Sequence, residues 1–551
     1  MKKTNQLLHF IRKKATVWGP SPLTLLSSAL IVFSFPPFGY YPLLWIALIP
    51  WFVALDRANS SQAAAKEGFW LGYGMSLGGF HWVAFVLTEF GGVPYSVGVL
   101  GLLLFAMVCE PQFVFAALVF KRLRSHPLFT SHRWSSILLL ALTFSTFYTA
   151  LDWILPKLFI DSLGHAFYSA RNLRQVADLG GVSLITFLII WFNLSLWKVL
   201  TSMKNFRKPA LFSAFFCLIS LSMSLIYGNY RYTEISSAQL KPIGGIQSAA
   251  IQANIGDFEK VAAEKGIQGA GASVLEEFTR LTREAMQMKP RPEVIIWPET
   301  AYPSIFGKPR SSLEYYLENR IKTLLEEIQT PLLFGGYDTD RKNDYNSFFF
   351  LSPDGTLETY HKNILLLFGE YIPGADFIPL IKQMFPQVGN FGRGRGAEVL
   401  EVPTHSHKIN SIKIRVQPAI CYEILFPQFI IEAARKGSQA IFNITNDSWF
   451  GSWGEPQLHL ALSTFRAIET RIPILRSTNT GISALILPTG EITHQTEIGK
   501  QAILNVFVPV TEPISTLIKT WGDWFGLLCV FLCGTASLID LTQKKRKGVR
   551  N

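Results

Sequence analysis

Seven apolar stretches fill the first 230 residues of this chain, at about 22–37, 40–56, 67–88, 92–120, 135–155, 177–197 and 209–227. Each is near the roughly 20 residues a helix needs to cross a bilayer. An eighth lies at about 521–541. No other feature constrains the fold as much, because such segments must be covered by lipid or by protein. Composition agrees: 49% of the 551 residues are hydrophobic and 16% are charged, too apolar a balance for an ordinary soluble enzyme. The opening "MKKTNQLLHFIRKK" is basic, as in a signal peptide. "SFPPFGYYP" then offers no small-residue cleavage site, so the first stretch is read as a span.

Basic residues orient the spans. Lys2, Lys3, Arg12, Lys13 and Lys14 precede the first, Arg57 and Lys66 follow the second, "KRLR" follows the fourth, and Lys198, Lys204, Arg207 and Lys208 follow the sixth. Cytoplasmic loops are enriched in this way. The loops after spans one and three lack Lys and Arg, although Lys157, Arg171 and Arg174 after span five weaken the bias. The expected organisation is a membrane domain over 1–230, an exported domain over 231–515, and a last span with a basic cytoplasmic tail over 516–551. The net charge of +12 is explained by this orientation, and no nucleic-acid partner is expected.

The exported segment reads as α/β. Strands are expected at 247–256, 293–298, 331–338, 347–353, 357–362, 412–420, 439–445, 473–479 and 482–488, and helices at 272–288, 311–328, 427–436 and 456–471. "SPDGT" and "LPTGE" mark the turns of two hairpin-like pairs.

Of the five cysteines, Cys109, Cys217, Cys529 and Cys533 fall in expected spans, leaving Cys421 alone in the exported domain. A lone cysteine at a strand end is ordinarily a small buried hydrophobe. In "PAICYEILFP", however, a strand gives way to a proline-started helix, and α/β folds put sites at such strand ends. Glu299 in "VIIWPETAYP" and Lys362, with Glu370, in "YHKNILLLFGEYIP" also follow strands. Each is weak evidence alone. Together they supply the parts for acyl transfer: a carboxylate base, a thiol nucleophile and an ammonium for the oxyanion.

The order Glu, Lys, Cys, with "WPET", "YHKNILLLFGEY", "CYEILFP", "NITNDSWFG" and "RSTNTG", resembles the nitrilase superfamily; with seven spans before it and one after, the chain resembles the apolipoprotein N-acyltransferase family. The resemblance implies a nitrilase-like αββα sandwich inserted between the seventh and eighth transmembrane helices. It also implies Glu299 as general base, Lys362 as oxyanion stabiliser and Cys421 as nucleophile. Glu370 corresponds to a further essential carboxylate, and Tyr422 and Glu423 to the pair after the nucleophile. Downstream, His459, Arg466 and Glu469 match, but Thr464 stands where a basic residue is expected. The implied reaction moves a fatty acyl chain from a membrane phospholipid to the α-amino group of a diacylglyceryl-modified apolipoprotein, through a thioester. It takes place in the bacterial inner membrane with the catalytic domain on the periplasmic side. No cofactor and no metal are implied, and a monomer is expected.

Several readings stay open. A membrane-tethered amidase would use the same triad with water as second nucleophile, and a transporter or scaffold would use none of it. Residues 376–396, with Phe377, Ile378, Leu380, Ile381, Met384 and Phe385, read either as a core helix or as a mobile arm dipping into the membrane, hinged at "GNFGRGRG". Glu110, Asp152 and His81, in or near spans, read first as helix-packing or interfacial groups.

Overall fold

The computed structural model describes residues 19–89, 91–131, 133–202, 207–256, 269–340, 342–367, 369–372, 391–404 and 413–548. The six apolar side chains of the expected arm therefore lie outside the described residues.

Four helical runs are long and apolar enough to cross a membrane: Tyr95–Ser125, Trp134–Ile154, Leu173–Thr201 and Arg207–Gln239. Pro22–Ser34 and Trp524–Leu538 are shorter apolar helices. The stretch expected as the second span is not one helix. Pro42 and Pro50 each begin a separate piece, Tyr41–Trp45 and Ile49–Arg57, as proline favours the first helical turn and breaks an interior. Pro111 likewise divides Tyr95–Cys109 from Gln112–Ser125. The third stretch begins further upstream, at Ser61, because Ser60 caps the helix by accepting from the Ala63 N–H at 3.1 Å. Helix Arg207–Gln239 turns Phe212, Phe215, Met223 and Ile226 outward, a surface suited to lipid.

Among the described residues, the region after this helix holds twelve strands: β1 (Gly244–Gln252), β2 (Val294–Ile296), β3 (Leu332–Thr339), β4 (Asp344–Leu351), β5 (Leu357–His361), β6 (Leu400–Pro403), β7 (Lys413–Ile420), β8 (Ala440–Thr445), β9 (Ile474–Thr478), β10 (Ala484–Ile486), β11 (Ile492–Gln495) and β12 (Ala502–Val510). They form two six-stranded sheets, ordered β12-β1-β2-β3-β4-β5 and β11-β10-β9-β8-β7-β6. Each has three parallel strands at its centre, β1-β2-β3 and β9-β8-β7, and antiparallel strands outside them. The expected hairpins are β4–β5 and β10–β11. Strands β6, β11 and β12 were not expected from the sequence.

Burial of both faces explains the near-continuous apolar runs of the central strands. Ala249, Ile295, Trp297 and Phe334 pack on Phe278, Leu281, Ile321 and Leu324 of helices Ala270–Gln287 and Ser312–Ile328. Their neighbours Ala250, Ile296 and Leu333 join the core of the second sheet. That sheet carries helices Pro427–Arg435 and Glu455–Thr470. The latter is buried at every position except Gln457, because it lies between the sheet and the membrane helices. Phe465 on this helix meets the His165 ring at 5.1 Å.

A buried ionic junction ties the two halves. One oxygen of Asp178, on the helix entering at Ala177, accepts from Arg471 Nη2 at 2.6 Å and from Arg231 Nε at 2.8 Å. The other accepts from the Tyr227 hydroxyl at 2.7 Å. Asp178 and the Arg471 side chain are fully buried. Removing one partner of such a pair strands the other charge and costs about 3–5 kcal/mol. Asp178→Asn is therefore expected to lower the thermal midpoint of the detergent-solubilised protein by several degrees; an unchanged melt would show that the junction carries no stability.

Candidate active site

Cys421 follows β7 directly, opening a single 3₁₀ turn, Cys421–Leu425, before helix Pro427–Arg435. Its φ of +50° is in the left-handed region, a strain of order 1–3 kcal/mol that persists only where the surroundings impose it. Thr300, beside Glu299, has the same φ. Both strand ends are thus bent at a chemically equipped side chain. The loop carrying Glu299 lies so close on β3 that a Cβ at Gly335 would come within 2.6 Å of the Glu299 Cα, which is why that strand carries glycine here.

Lys362, one residue past β5, is almost wholly buried. Its ammonium stands 3.1 Å from Glu299 Oε1 and 2.8 Å from Glu370 Oε1. Asn346 on β4 donates through Nδ2 to the same two oxygens, at 2.7 and 2.8 Å. Glu299 Oε2 accepts from the Asn446 backbone N–H at 3.0 Å, and Glu370 Oε2 from that of Leu366 at 2.8 Å. Both carboxylates are fixed at both oxygens. Burial would lower the Lys362 pKa, but Glu299 and Glu370 outweigh it and hold the ammonium charged well above its ordinary range.

The sulfur of Cys421 feels the same charges. Burial pushes the thiol well up, the Glu299 carboxylate adds to this, and Lys362 opposes it. At neutral pH the group is a thiol, so a nucleophile forms only when a nearby base takes the proton.

The structure brings together Glu299, Lys362, Glu370 and Cys421. It gives Tyr422 and Glu423 other partners. The Tyr422 hydroxyl donates to the Leu158 carbonyl oxygen of the membrane half, and its ring meets Phe159 at 5.9 Å. Glu423 accepts from the Tyr360 hydroxyl at 2.8 Å and from the backbone N–H groups of Asn363 at 2.6 Å and Ile420 at 2.8 Å. It thereby clamps the chain beyond β5 to the end of β7. Burial pushes its carboxyl up to about 7 against these donors. Among the described residues of the expected hinge, Gly394 donates to the Lys362 carbonyl oxygen at 2.9 Å and Gly392 to that of Asp344 at 2.8 Å, so both are docked.

Asn346 and Asn446 were not singled out from the sequence. Asn346 has no local signal beyond being polar in an apolar strand, whereas Asn446 lies within "NITNDSWFG", one of the stretches that carry the resemblance. A second buried cluster also went unanticipated: donor atoms of Asp447, Glu455 and His459 lie within 4.8 Å of one another. Arg476 supplies its positive charge, at 2.7 Å from Asp447 Oδ2 and 3.0 Å from His459 Nδ1. Thr464 bonds back to the Ala461 carbonyl, and Arg466 reaches the Leu425 carbonyl at 3.1 Å and Glu469 at 2.8 Å. Asp152 pairs with Lys157 at 2.6 Å, Glu110 accepts from Gln112, and His81 stacks at 4.7 Å on Trp453.

Residues 27–195 match the apolipoprotein N-acyltransferase N-terminal domain, and residues 235–506 match the carbon-nitrogen hydrolase family. The apolipoprotein N-acyltransferase of Bdellovibrio bacteriovorus is 31% identical over 93% of this chain and 92% of its own length. That of Geobacter metallireducens is 30% identical over 96% of each. Among solved structures, an amidase from Nesterenkonia sp. aligns with 48% of this chain and 91% of its own at 14% identity and a TM-score of 0.36.

The Glu423 clamp yields a stability prediction. Glu423→Gln sets an amide N–H₂ against buried donors, and an unsatisfied donor costs about 1–3 kcal/mol. Because the folded carboxyl titrates above its unfolded value, its contribution is present at acid pH and is lost as pH rises toward 7. The deficit of the variant relative to wild type should therefore shrink between about pH 5 and about pH 8. Melting curves across that range check it; a deficit that grows with pH would reverse the assignment.

Proposed function

The chain belongs to the apolipoprotein N-acyltransferase family, and on that premise we propose that it transfers a fatty acyl chain from a membrane phospholipid to the α-amino group of an S-diacylglyceryl-cysteine at the N-terminus of an apolipoprotein. Cys421 is the nucleophile. As its sulfur attacks the ester carbonyl, Glu299 takes the thiol proton, and the Lys362 ammonium stabilises the oxyanion. Collapse expels the lysophospholipid alkoxide, which recovers the proton from Glu299, and leaves an acyl-thioester. The neutral amine then attacks, Glu299 accepts its proton, and the thiolate departs and is reprotonated. An α-amino group with a pKa of about 7.7–8.0 is substantially neutral near physiological pH. Glu370 holds Lys362 so that Glu299 need not serve as both counter-ion and base.

The observation that carries this reading is where the thiol lies. Tyr422, next to it, is bonded to the loop after Ile154, and Phe159 of that loop meets Trp82 at 5.1 Å, which in turn meets Phe450 at 5.3 Å. An aromatic wall from the membrane half thus stands beside the nucleophile. Exposing an acyl chain to water costs about 0.8 kcal/mol per CH₂, so a donor of this kind calls for an apolar path from lipid to sulfur. An amidase acting on soluble substrates has no use for one.

The finer architecture belongs to the same proposal. Seven spans over 1–230 precede a periplasmic catalytic domain over 231–515, inserted before an eighth span and a cytoplasmic tail over 516–551. The protein is a monomer in the bacterial inner membrane. Support comes from the Lys/Arg pattern of the loops.

Intact-mass measurement of the purified protein incubated with phospholipid alone tests the chemistry. Wild type should gain one acyl chain and Cys421→Ala none; acylation of Cys421→Ala would place the nucleophile elsewhere. Lys362→Met should slow acylation by roughly two to three orders of magnitude. Glu370→Gln should slow this same half-reaction and not only release to the amine, whereas equal acylation rates would sink its role. For the topology, a membrane-impermeant thiol probe should reach a cysteine placed on the catalytic domain in outer-membrane-permeabilised cells but neither terminus.

A further inference from the structure

At the ends of β7 and β8, beside Cys421, lies a chain of hydrogen-bonded side chains that the reaction above leaves unused. Strands β7 and β8 are parallel, with Ile420 opposite Ile444, so the next residues, Cys421 and Thr445, are neighbours at the rim. Thr445 is fully buried, and its hydroxyl donates to Asp447 Oδ1 at 2.9 Å. Asp447 Oδ2 accepts from Arg476 Nη2 at 2.7 Å, and Arg476 Nη1 donates to Asn443 Oδ1 at 2.9 Å. Asn443 Nδ2 returns to the Ala419 carbonyl on β7 at 3.1 Å. The chain of bonds therefore starts at the end of β8, crosses β9 at Arg476 and ends on β7, two residues before Cys421. No room is left to rearrange it: a Cβ at Gly481 would fall 2.2 Å from Asp447 Oδ2.

We propose that Asp447 is a positioning residue for Cys421: through the Thr445 hydroxyl it fixes the place of the sulfur at the strand end, and it sets a buried carboxylate behind that hydroxyl. The hydroxyl has one proton, and Asp447 receives it. That bond holds the Thr445 hydroxyl at the end of β8, next to the end of β7 from which the sulfur projects. The charges facing Cys421 are Glu299 and Lys362 from the first sheet, with Glu370 behind Lys362, and Asp447 from the second. Around Asp447 stand Arg476, His459 and Glu455, with His459 Nδ1 at 3.4 Å from both acids. Arg476 holds Asp447 ionised throughout the working pH range. A permanent negative charge beside a thiol disfavours the thiolate. The arrangement suits a step in which Glu299 takes the proton only as the ester carbonyl arrives, and it protects the resting sulfur from alkylation and oxidation.

The positioning role rests on Cys421 acting as the acylated nucleophile; the charge effect does not. Two readouts separate them. In the first, full-length protein in detergent is treated with iodoacetamide across a pH series, and modification of Cys421 is followed by peptide mass. Asp447→Asn should move the alkylation midpoint down by about one pH unit, while Thr445→Val, which keeps the charge and removes a hydroxyl that favours the thiolate, should not move it down. In the second, the phospholipid-only acylation rate should fall roughly tenfold to a hundredfold in Thr445→Val, the range for a misplaced reacting group, and be restored to within about threefold in Thr445→Ser. An unmoved midpoint in a folded Asp447→Asn overturns the charge effect. Wild-type acylation rates in Thr445→Val overturn the positioning, and this variant decides the matter if Asp447→Asn does not fold. A shifted midpoint in a protein that phospholipid never acylates would retain the Asp447 charge effect and reject the acyltransfer chemistry instead.

Discussion

A lysine ammonium taken out of water and set between two carboxylates is the interaction on which the rest of the site depends. An isolated buried ammonium would shed its proton; with Glu299 and Glu370 at 3.1 and 2.8 Å it stays charged. One positive and two negative charges leave the group at −1, and Asn346 offsets part of that excess by donating to both acids. Burial keeps the neighbouring thiol neutral at rest, and the Glu299 charge adds to it. Moving its proton to Glu299 leaves the total at −1, whereas loss of the same proton to solvent would bury a second uncompensated charge. The site thus favours internal proton transfer over spontaneous ionisation.

The groups of the site come from different sheets. Glu299 follows β2, Asn346 lies on β4 and Lys362 follows β5, all in the first sheet; Cys421 follows β7 and Asn446 follows β8, in the second. Hydrogen bonds that cross the seam at the site include those from the Asn446 N–H to Glu299 and from the Asn363 N–H and the Tyr360 hydroxyl to Glu423. The reacting geometry therefore exists only when the sandwich is closed. The left-handed φ of Cys421 and Thr300 is held by that closure and is not a local preference of either residue.

What the sequence discloses follows from this. Glu299, Lys362 and Cys421 are legible because each follows a strand closely, so a local pattern coincides with a chemical side chain. Asn346 is not, and Asn446 and Asp447, though within "NITNDSWFG", are not legible as individual residues, since their partners are on other strands. Among the strands, β11 is largely exposed and β6 has only four residues, while Asn505 and Pro509 interrupt the apolar run of β12. In the membrane half, hydropathy finds apolar length but not helix continuity. The 40–56 stretch is apolar throughout, and only the prolines at 42 and 50 reveal that it is two pieces. Tyr422 and Glu423 were recognised as important by resemblance, but their partners, the Leu158 carbonyl and the turn beyond β5, belong to tertiary structure alone.

Helix Glu455–Thr470 shows why the two halves work as one enzyme. A helix on the outer face of a sandwich is normally amphipathic, with one face in water. Here Leu458, Leu462 and Phe465 are buried, and so are the polar side chains of His459, Ser463, Arg466 and Glu469, because the membrane helices cover the side that solvent would otherwise wet. Polar groups in such a position must find partners within the protein. They do so in two directions: His459 toward Asp447 and Arg476, and Arg466 toward the Leu425 carbonyl on the turn that begins at Cys421. Arg471, just past the helix end, reaches Asp178 in the membrane half. One helix therefore binds the thiol's supports on one side and the membrane helices on the other. Docking of the sandwich on the membrane half and placement of the sulfur are parts of a single packing arrangement.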